Sequence, residues 1–348
     1  MMVTLGVDAH KRTHTIVAAD EAGAQLDAIT VAATTAGHLK AVRWAGQFDD
    51  RRWALEDCRH LSRRLEAELL GAGEMVVRVP PKMMAGVRRS ARTRGKSDPI
   101  DALAVARAAI REPDLPVARL EGPAREVRLS VDYREDLVRE RTGLQNRLRW
   151  RLHELDPTLD PPTGSLDRYV ILGGLIEALE AHAGLVAQLA RREITRIRDL
   201  TTEINQFTAD IAVRVAEISP SLLEIPGCGP LSAAKLVGEA ADITRFHSRD
   251  AYAMWAGVAP IPVWSGNTER FRLNRGGNRQ TNAALHRIAI TQMRIHPDAR
   301  RLITKHLTAG KTKKEALRVL KRRLADVVYR TMINDTKQLS QTAPARAA

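Results

Sequence analysis

The sequence predicts an α/β domain at the N-terminus, a long helical middle and a small, mainly α-helical C-terminal domain. Short apolar runs alternate with helical patterns up to about residue 115, leucines then recur at helical spacing, and a Gly-x-Gly turn opens a further helical region after Pro220. With 348 residues and 44% hydrophobic content, the chain can bury cores for two or three domains. We place the domains at 1–120, 121–218 and 219–340.

The elements of the first domain follow one another in the order β-β-β-α-β-α-β-α. Apolar runs bounded by turn residues predict strands over 3–9, 14–19, 25–33, 52–56 and 75–79. Amphipathic spacing predicts helices over 34–48, 60–70 and 98–111, with Thr35 as the N-cap of the first. This order is that of the ribonuclease-H fold.

The middle region has the pattern of two long helices. Five leucines lie at helical spacing, and a proline-rich break at 156–164 separates them from a second helical stretch over 174–218; the leucines are Leu137, Leu144, Leu148, Leu152 and Leu155. Two long helices around a loop form an antiparallel hairpin or a coiled coil. The pattern is equally compatible with a solvated arm and with a dimerisation element.

The C-terminal domain opens with IPGCGPLSAAKLVGE, in which Gly227 and Gly229 precede a helix. Glycines let backbone N–H groups approach a phosphate, and a helix N-terminus favours an anion. The segment resembles the helix-hairpin-helix motif that binds DNA backbone, and an ordinary glycine turn is the alternative. Further on, 306–333 is a basic amphipathic helix whose Lys311, Lys313 and Lys314 are available for phosphate or form a solvated face.

The charge balance indicates a polyanionic partner. Lys and Arg number 55 against 41 Asp and Glu, a net charge of +14, which favours nucleic acid. No apolar run reaches the ~20 residues of a membrane span and no signal peptide is visible, so we expect a cytoplasmic protein. Cys58 and Cys228 are too far apart in sequence to indicate zinc or a disulfide framework. Aromatic residues, at 4%, argue against single-strand stacking as the main binding mode.

Four acids lie at element ends in the first domain. Pro99 fits the first helical position, so Asp98 as N-cap and Asp101 as its N3 partner would explain both residues by capping alone. Asp8 and Glu56, however, end predicted buried strands, where an unpaired carboxylate is costly.

In a ribonuclease-H sheet the first and fourth strands are neighbours, so Asp8 and Glu56 would face one point, with Asp98 and Asp101 brought across from them by a helix start. Converging carboxylates need a cation, and oxygen ligands suit Mg²⁺ or Mn²⁺. Two such ions would clamp the attacking and leaving oxygens of a phosphodiester. His10 and His14 flank the end of the first strand, and we interpret both as surface histidines.

The blocks GVDAHK, ALEDCRHL and TRGKSDPIDALAVAR resemble the signature of DEDD transposases of bacterial insertion sequences, the IS110 group. The N-terminal domain of that family resembles the RuvC Holliday-junction resolvase. The resemblance implies a RuvC-like domain in which Asp8, Glu56, Asp98 and Asp101 are the four catalytic, metal-binding acids.

The C-terminal segment over 246–289 also resembles this family and implies a serine nucleophile at Ser265, before Gly266. Family members commonly have a doubled serine there, whereas this chain has Trp264 and then Ser265. Ser265 is predicted in a loop, and without the resemblance it reads as a turn residue. Four arginines follow that would position a scissile phosphate and offset its charge: Arg270, Arg272, Arg275 and Arg279. No His–Asp pair is near in sequence, so the metal-bound carboxylates would activate the hydroxyl.

We therefore expect a transposase, a site-specific DNA recombinase that cleaves element ends and target through a phosphoserine link. The resemblance implies a structured guide RNA, often called a bridge RNA, for which the eight arginines between Arg125 and Arg151 are our expected docking surface. Strand exchange needs at least two active sites, so we expect a dimer or tetramer. The alternatives are a RuvC-like metal-dependent junction nuclease that uses water and a non-enzymatic DNA-binding protein.

Overall fold

The computed structural model describes residues 1–56, 61–80, 83–84, 97–112, 115, 117–119, 122–265 and 268–342. The chain divides into two compact units, Met1–Leu120 and Glu121–Ala348. The helical middle and the C-terminal region lie together in the second unit, so the predicted separation of these two as domains stays a prediction. Among the described helices, none combines the length and the apolar character that a membrane span requires.

The first unit is built on a five-stranded sheet with the strand order β3-β2-β1-β4-β5. The strands are β1 Val3–Ala9, β2 Thr13–Ala19, β3 Gln25–Ala32, β4 Arg51–Glu56 and β5 Val76–Val79, and the helices are α1 Thr35–Ala45, α2 Arg63–Gly71 and α3 Asp98–Arg111. β2 is antiparallel to both of its neighbours, whereas β1, β4 and β5 run parallel. The predicted element order and the ribonuclease-H-like topology are confirmed.

The two faces of this sheet bury different side chains. Leu5 and Val7 of β1 share a core with Trp53 and Leu55 of β4 and with leucines of α2. Ala54, between the two β4 residues, instead packs with Ala104 and neighbouring residues of α3. Because successive strand residues face opposite sides, the sheet face under α3 carries the residues at even positions of β1 and β4.

The helix starts differ slightly from the predicted ones. Thr34, one residue before the predicted cap, is the N-cap of α1, and its side chain accepts a hydrogen bond of 3.2 Å from the Gly37 N–H. Leu61 lies before α2 and is exposed, whereas Leu65 and Leu69 are buried as predicted. Both differences are shifts at element ends, where sequence signals are weakest.

The second unit begins with the predicted helical hairpin, formed by α4 Pro123–Leu155, α5 Tyr169–Leu179 and α6 Leu185–Ile218. Ion pairs from Arg151 to Glu193, Arg196 to Glu140 and Arg214 to Glu126 show that α4 and α6 are antiparallel. The predicted helix over 174–218 is wrong as one element, because the chain turns between α5 and α6. Gly184, with a φ of 92°, ends that turn.

The remainder of the second unit is mainly helical but contains one β-hairpin. Its elements are α7 Pro230–Ala240, α8 Arg249–Trp255, β6 Pro260–Ser265, β7 Thr268–Leu273, α9 Arg279–Ile295, α10 Pro297–Thr308 and α11 Lys313–Thr342. Their core also includes Val127 and Val131 of α4 and Ile211 and Val215 of α6, so the base of the hairpin is part of it.

Two expectations for this region are wrong. Ser265 is the last residue of β6, paired with Thr268 of β7, and does not lie in a loop. The tail predicted as one helix from 306 to 333 is α10 and α11, separated at Gly310, whose φ is 82°. α11 starts with a capping box, since Thr312 N–H donates to Glu315 Oε2 at 2.8 Å and Glu315 N–H donates back to Thr312 Oγ1 at 3.3 Å.

Candidate active site

Asp8 and Glu56 occupy corresponding positions on neighbouring parallel strands. The β1–β4 register runs from Val3 opposite Arg51 to Val7 opposite Leu55, and Asp8 and Glu56 are the residues that follow these two on their strands. Gly6 and Ala54 both lie on the sheet face that packs against α3. Asp8 is two residues after Gly6, and Glu56 is two residues after Ala54. The period of the strand therefore places both residues on the sheet face under α3.

α3 lies directly against β1 because Gly6 has no side chain. A Cβ at Gly6 would lie 2.2 Å from the Ala102 carbonyl oxygen and 2.5 Å from the Ala106 nitrogen, which no real atom could occupy. Asp101 immediately precedes Ala102, and Asp98 begins the helix. This contact fixes the first turn of α3, with its two acids, beside the end of β1.

His10 joins the acids of the two elements. Its Nε2 lies 3.0 Å from Asp8 Oδ2 and 3.5 Å from Asp98 Oδ1. Asp8, His10 and Asp98 each offer one donor atom, and the three atoms lie within 4.8 Å of one another. Two carboxylates and an imidazole are a donor set that fits a divalent cation.

The surroundings of Asp8 disfavour its negative charge. Burial raises the pKa of Asp8 most, the nearby charges of Asp101 and Asp98 raise it further, and His10 counters them by charge and hydrogen bond. The Asp8 side chain is 13% exposed, against about half for His10 and Asp98. Asp8 thus senses both acids of α3, and a cation at this point would relieve the repulsion among them.

The capping interpretation of Asp98 is wrong. Ser97 is the N-cap of α3, Asp98 is already the first helical residue, and no side-chain cap hydrogen bond forms there. Pro99 follows Asp98 at the second helical position. Capping therefore leaves Asp98 unexplained, whereas its contact with His10 gives the side chain a place in the acid cluster.

The interpretation as a surface histidine is wrong for His14, whereas His10 is exposed as expected. His14, on β2, is buried and stacks on His38 of α1 with the ring centroids 5.1 Å apart. His38 Nδ1 lies 2.7 Å from Glu68 Oε2 on α2. His10 is half-exposed but bonded to Asp8, so only His14 belongs to the core.

In the second unit, basic side chains surround one groove of ≈ 1370 Å³ between the β6–β7 hairpin, α9 and α11. It includes five of the residues predicted to bind nucleic acid, namely Arg272, Arg275, Arg279, Lys311 and Lys314, together with Arg318, Lys321 and Arg322. Glu315 is the acidic residue among those that line it. Lys313 is exposed beside the groove, and the side chain of Arg270 lies outside the described part of the structure.

Burial and neighbouring positive charges both lower pKa values in this groove. Burial, and then the neighbouring Arg318, lower the pKa of Lys321, while burial and Lys321 lower that of His286. Within the described residues, none of the five predicted groove cations forms an ion pair with an acid. Uncompensated cations of this density suit a phosphate backbone.

The predicted hairpin glycines have different environments. Gly227 has a φ of 81°, and a Cβ there would lie 2.9 Å from Thr291 Cβ on α9. Gly229 is the N-cap of α7, and nothing lies within 4 Å of the position a Cβ would take. Glycine at 227 is therefore explained by packing, and Gly229 offers the more open backbone for a phosphate.

The arginines of α4 are less available than the sequence predicts. Six of them pair with acids, namely Arg128, Arg139, Arg141, Arg147, Arg149 and Arg151. Arg147 and Arg151 pair with Glu193 of α6 and so link the two long helices, whereas Arg139 pairs with Asp136 within α4. The groove is the stronger candidate for nucleic-acid contact.

Sequence reasoning missed the parts played by Gly6 and His10. Glycine inside an apolar strand is a recognised signal of close backbone approach, so GVDAHK contained the information for Gly6. Nothing in the sequence distinguished His10 from His14, because which one reaches the acids depends on the turn between β1 and β2. There the His10 N–H donates to the Thr13 carbonyl oxygen at 2.9 Å.

Comparison with known proteins gives two family matches and full-length relatives. Residues 5–157 match a transposase model, the DEDD transposases of the IS110 type, and residues 219–304 match the transposase IS116/IS110/IS902 family. A 44.8 kDa protein of insertion element IS116 from Streptomyces clavuligerus is 27% identical over 98% of this chain and 97% of the relative. A 42 kDa protein of insertion element IS900 from Mycobacterium paratuberculosis is 26% identical over 96% of both chains.

A solved structure, T. thermophilus RuvC in complex with Holliday junction substrate, overlaps 32% of this chain and 94% of that chain. The identity is 16% and the TM-score 0.25. The ribonuclease-H-like assignment rests on the strand order and pairing of the sheet, not on this overlap.

Proposed function

We propose that the chain is an insertion-sequence transposase of the IS110/IS116 family, that Asp8, Glu56, Asp98 and Asp101 are its DNA-cleaving acids and that Ser265 is its nucleophile. A transposase cleaves and rejoins DNA, so DNA is the substrate. The observation that carries the proposal is the approach of Asp8 and Asp98 to one another around His10, at the end of the parallel strands β1 and β4.

The acids would hold Mg²⁺ or Mn²⁺, which supplies charge neutralisation and polarises the oxygens of the scissile phosphate. Asp8 and Asp98 approach closely enough to share such an ion. Glu56 follows the paired register on β4 as Asp8 does on β1, and the charge of Asp101 raises the pKa of Asp8. The remaining task of these residues is to orient the phosphate for in-line attack.

Ser265 would form the covalent link. Its Oγ would bond to phosphorus while the bond from phosphorus to the leaving sugar oxygen breaks and that oxygen takes up a proton. Attack by another sugar hydroxyl would reverse these steps and release the serine. Support comes from the family match that includes this residue and from its position on β6, whose first residue, Pro260, lines the groove that also includes Arg272, Arg275 and Arg279.

Nucleic acid would dock in the basic groove of the second unit. Among the described residues, five of its cations form no ion pair with an acid, namely Arg272, Arg275, Arg279, Lys311 and Lys314. Arginines fit phosphate oxygens in a bidentate manner. We include a guide RNA among the partners, since the family resemblance implies one and the groove binds by charge. RNA and DNA share the phosphate backbone that such a groove recognises.

We also propose that the protein acts as a dimer or tetramer, because strand exchange needs more than one active site. The helical hairpin is our candidate for the contact. Trp150 of α4 and Leu185 of α6 are 74% and 68% exposed, and both lie where α4 ends and α6 begins. Tryptophan is among the residue types enriched at protein interfaces.

The deciding experiment follows the DNA ends. The full-length protein is incubated with Mg²⁺ and a plasmid that carries the element ends and the adjoining non-coding segment, and the products are separated before and after protease treatment. We expect ends attached to protein, no cleavage by Asp8→Asn, and no adduct with Ser265→Ala.

Free ends from both the wild type and Ser265→Ala would replace this proposal with a junction nuclease that uses water. Undiminished cleavage by Asp8→Asn would remove the acids from the chemistry. Binding without any cleavage by the wild type would favour a non-enzymatic DNA-binding protein.

A further inference from the structure

We propose that His10 is a nitrogen ligand of the divalent ion held by Asp8 and Asp98, and that the site consequently binds Mn²⁺ more tightly than Mg²⁺. This inference deepens the proposed function and rests on its assignment of the acids to a metal ion. The acids supply only oxygen ligands. The imidazole beside them changes which ions the site prefers.

The distances around His10 suit coordination. Two ligands at right angles on one ion, each at a bond length of ~2.1 Å, lie about 3.0 Å apart. His10 Nε2 lies 3.0 Å from Asp8 Oδ2 and 3.5 Å from Asp98 Oδ1. An ion at the centre of these atoms would replace the hydrogen bond between His10 and Asp8 with little movement of either side chain.

The backbone and the exposure of His10 favour the same role. Its N–H bond to the Thr13 carbonyl closes the turn after β1, which directs the residue back toward Asp8. The side chain is 50% exposed, so it contributes little to the core and solvent can deliver an ion to it. Asp98 is exposed to a similar extent, whereas Asp8 forms the buried wall of the site.

The donor set then decides the choice of ion. Mg²⁺ strongly prefers an all-oxygen octahedron, whereas imidazole is a good ligand for Mn²⁺ and the later transition metals. A site of two carboxylates and one imidazole therefore discriminates in favour of Mn²⁺. Replacing His10 by Gln leaves an amide oxygen near the position of Nε2, which should remove the discrimination while keeping an ion in place.

The test uses Mn²⁺ alone as the probe on the full-length protein. Pulsed electron paramagnetic resonance detects the nitrogen of a directly bound imidazole as a modulation of the Mn²⁺ echo, and selective ¹⁵N labelling of histidine identifies its source. We expect this modulation in the wild type, its loss in His10→Gln, and its retention in His153→Gln, the same change at an exposed histidine of α4.

Titration supplies the second readout. We expect His10→Gln to weaken Mn²⁺ binding about 10-fold, the low end for loss of a residue that supports a metal site. Mg²⁺ binding, measured by competition, should change less than about 3-fold because oxygen replaces nitrogen. Thermal unfolding of each variant without metal establishes that it is folded.

The outcomes separate this inference from the proposed function. Mn²⁺ binding that needs Asp8 but shows no histidine nitrogen, or shows it equally in His10→Gln, would leave the acids as metal ligands and overturn the assignment of His10. Failure to bind Mn²⁺, or binding that survives Asp8→Asn, would overturn the metal site itself.

Discussion

At the scale of single residues, Gly6 controls the geometry of the acids although it is not one of the proposed metal-binding residues. It touches no ligand, yet its missing side chain lets α3 contact β1 so closely that Asp98 and Asp101 reach the end of the strand. Any side chain there must push the α3 backbone away, since the atoms in its path belong to the main chain and not to a mobile side chain.

We therefore expect Gly6→Ala to destabilise the protein by about 1–3 kcal/mol through overpacking and to weaken Mn²⁺ binding at the same time. Urea unfolding and Mn²⁺ titration measure the two effects. Gly71→Ala, at the end of α2, is the matched control, because nothing lies within 4 Å of its added methyl group. Equal Mn²⁺ affinity in Gly6→Ala and the wild type would show that α3 does not position the site.

His14 gives the first unit a dependence on pH. Burial first, and then His38 and His10, lower its pKa from an ordinary value of 6.5 to about 4. The unfolded chain therefore binds the proton more readily, so stability is complete above pH 6.5 and declines as the pH falls toward 4. The lowered pKa values of Glu68 and Glu74 add a loss only at more acidic pH, because carboxylates protonate there.

Between pH 7 and pH 5 we expect the wild type to lose roughly 1–2 kcal/mol of unfolding free energy from this residue. His14→Gln, which does not titrate, should show a flatter slope whatever its stability at pH 7. Urea unfolding of both proteins at several pH values measures the slopes. Parallel slopes would mean that His14 is not held neutral by its surroundings.

At the scale of elements, the sequence predicted the α/β unit well because each apolar run is bounded by Gly, Pro or charged residues. β1 over Val3–Ala9 and α3 over Asp98–Arg111 have their predicted bounds. The two acids of neighbouring parallel strands could then be paired from topology alone. The contact of His10 with Asp8 could not be predicted in this way, since it depends on the β1–β2 turn rather than on a periodic pattern.

The second unit was harder to predict for physical reasons. Gly184 and Gly310 adopt positive φ values, which interrupt a helix. The helical pattern of apolar residues continues on both sides of each glycine, so periodicity alone predicts one uninterrupted helix. β6 was missed because Pro260 and Pro262 argue against a strand. In a two-stranded hairpin each strand has an open edge, so prolines are tolerated there.

The groove between the β6–β7 hairpin and α11 should carry a measurable share of DNA binding. We expect the double variant Arg275→Ala/Arg279→Ala to bind duplex DNA more weakly and to lower the slope of log K against log salt by about 1–2, one for each lost phosphate contact. Fluorescence anisotropy over a range of salt concentrations gives both quantities.

Arg301→Ala is the control for the groove variant. Arg301 lies on α10 in the same unit, is 78% exposed and pairs with Asp298, so its loss should leave the salt slope unchanged. A double variant with the slope of the wild type would exclude the groove as a phosphate-binding surface, even if the affinity changed for other reasons.

At the scale of the whole molecule, the two units carry complementary chemistry. The carboxylates that would hold divalent ions belong to the first unit, and the groove cations that suit a phosphate backbone belong to the second. DNA cleavage by this division of labour requires both units on one substrate. Variants of the acids should therefore spare DNA affinity, and variants of the groove should spare Mn²⁺ binding.

The proposed strand exchange would require more than one copy of the chain, and the far end of the hairpin offers apolar surface for the contact. A charge at Trp150 should oppose association there, so we expect Trp150→Glu to shift the protein toward monomer and to reduce strand exchange while the Mn²⁺ affinity stays unchanged. Sedimentation velocity with paired DNA substrates measures the assembly.

Val213→Glu makes the same change at an exposed residue near the base of α6 and should not alter the assembly. A wild type that remains monomeric on paired substrates, or a Trp150→Glu protein that assembles like the wild type, would move the contact away from this end of the hairpin.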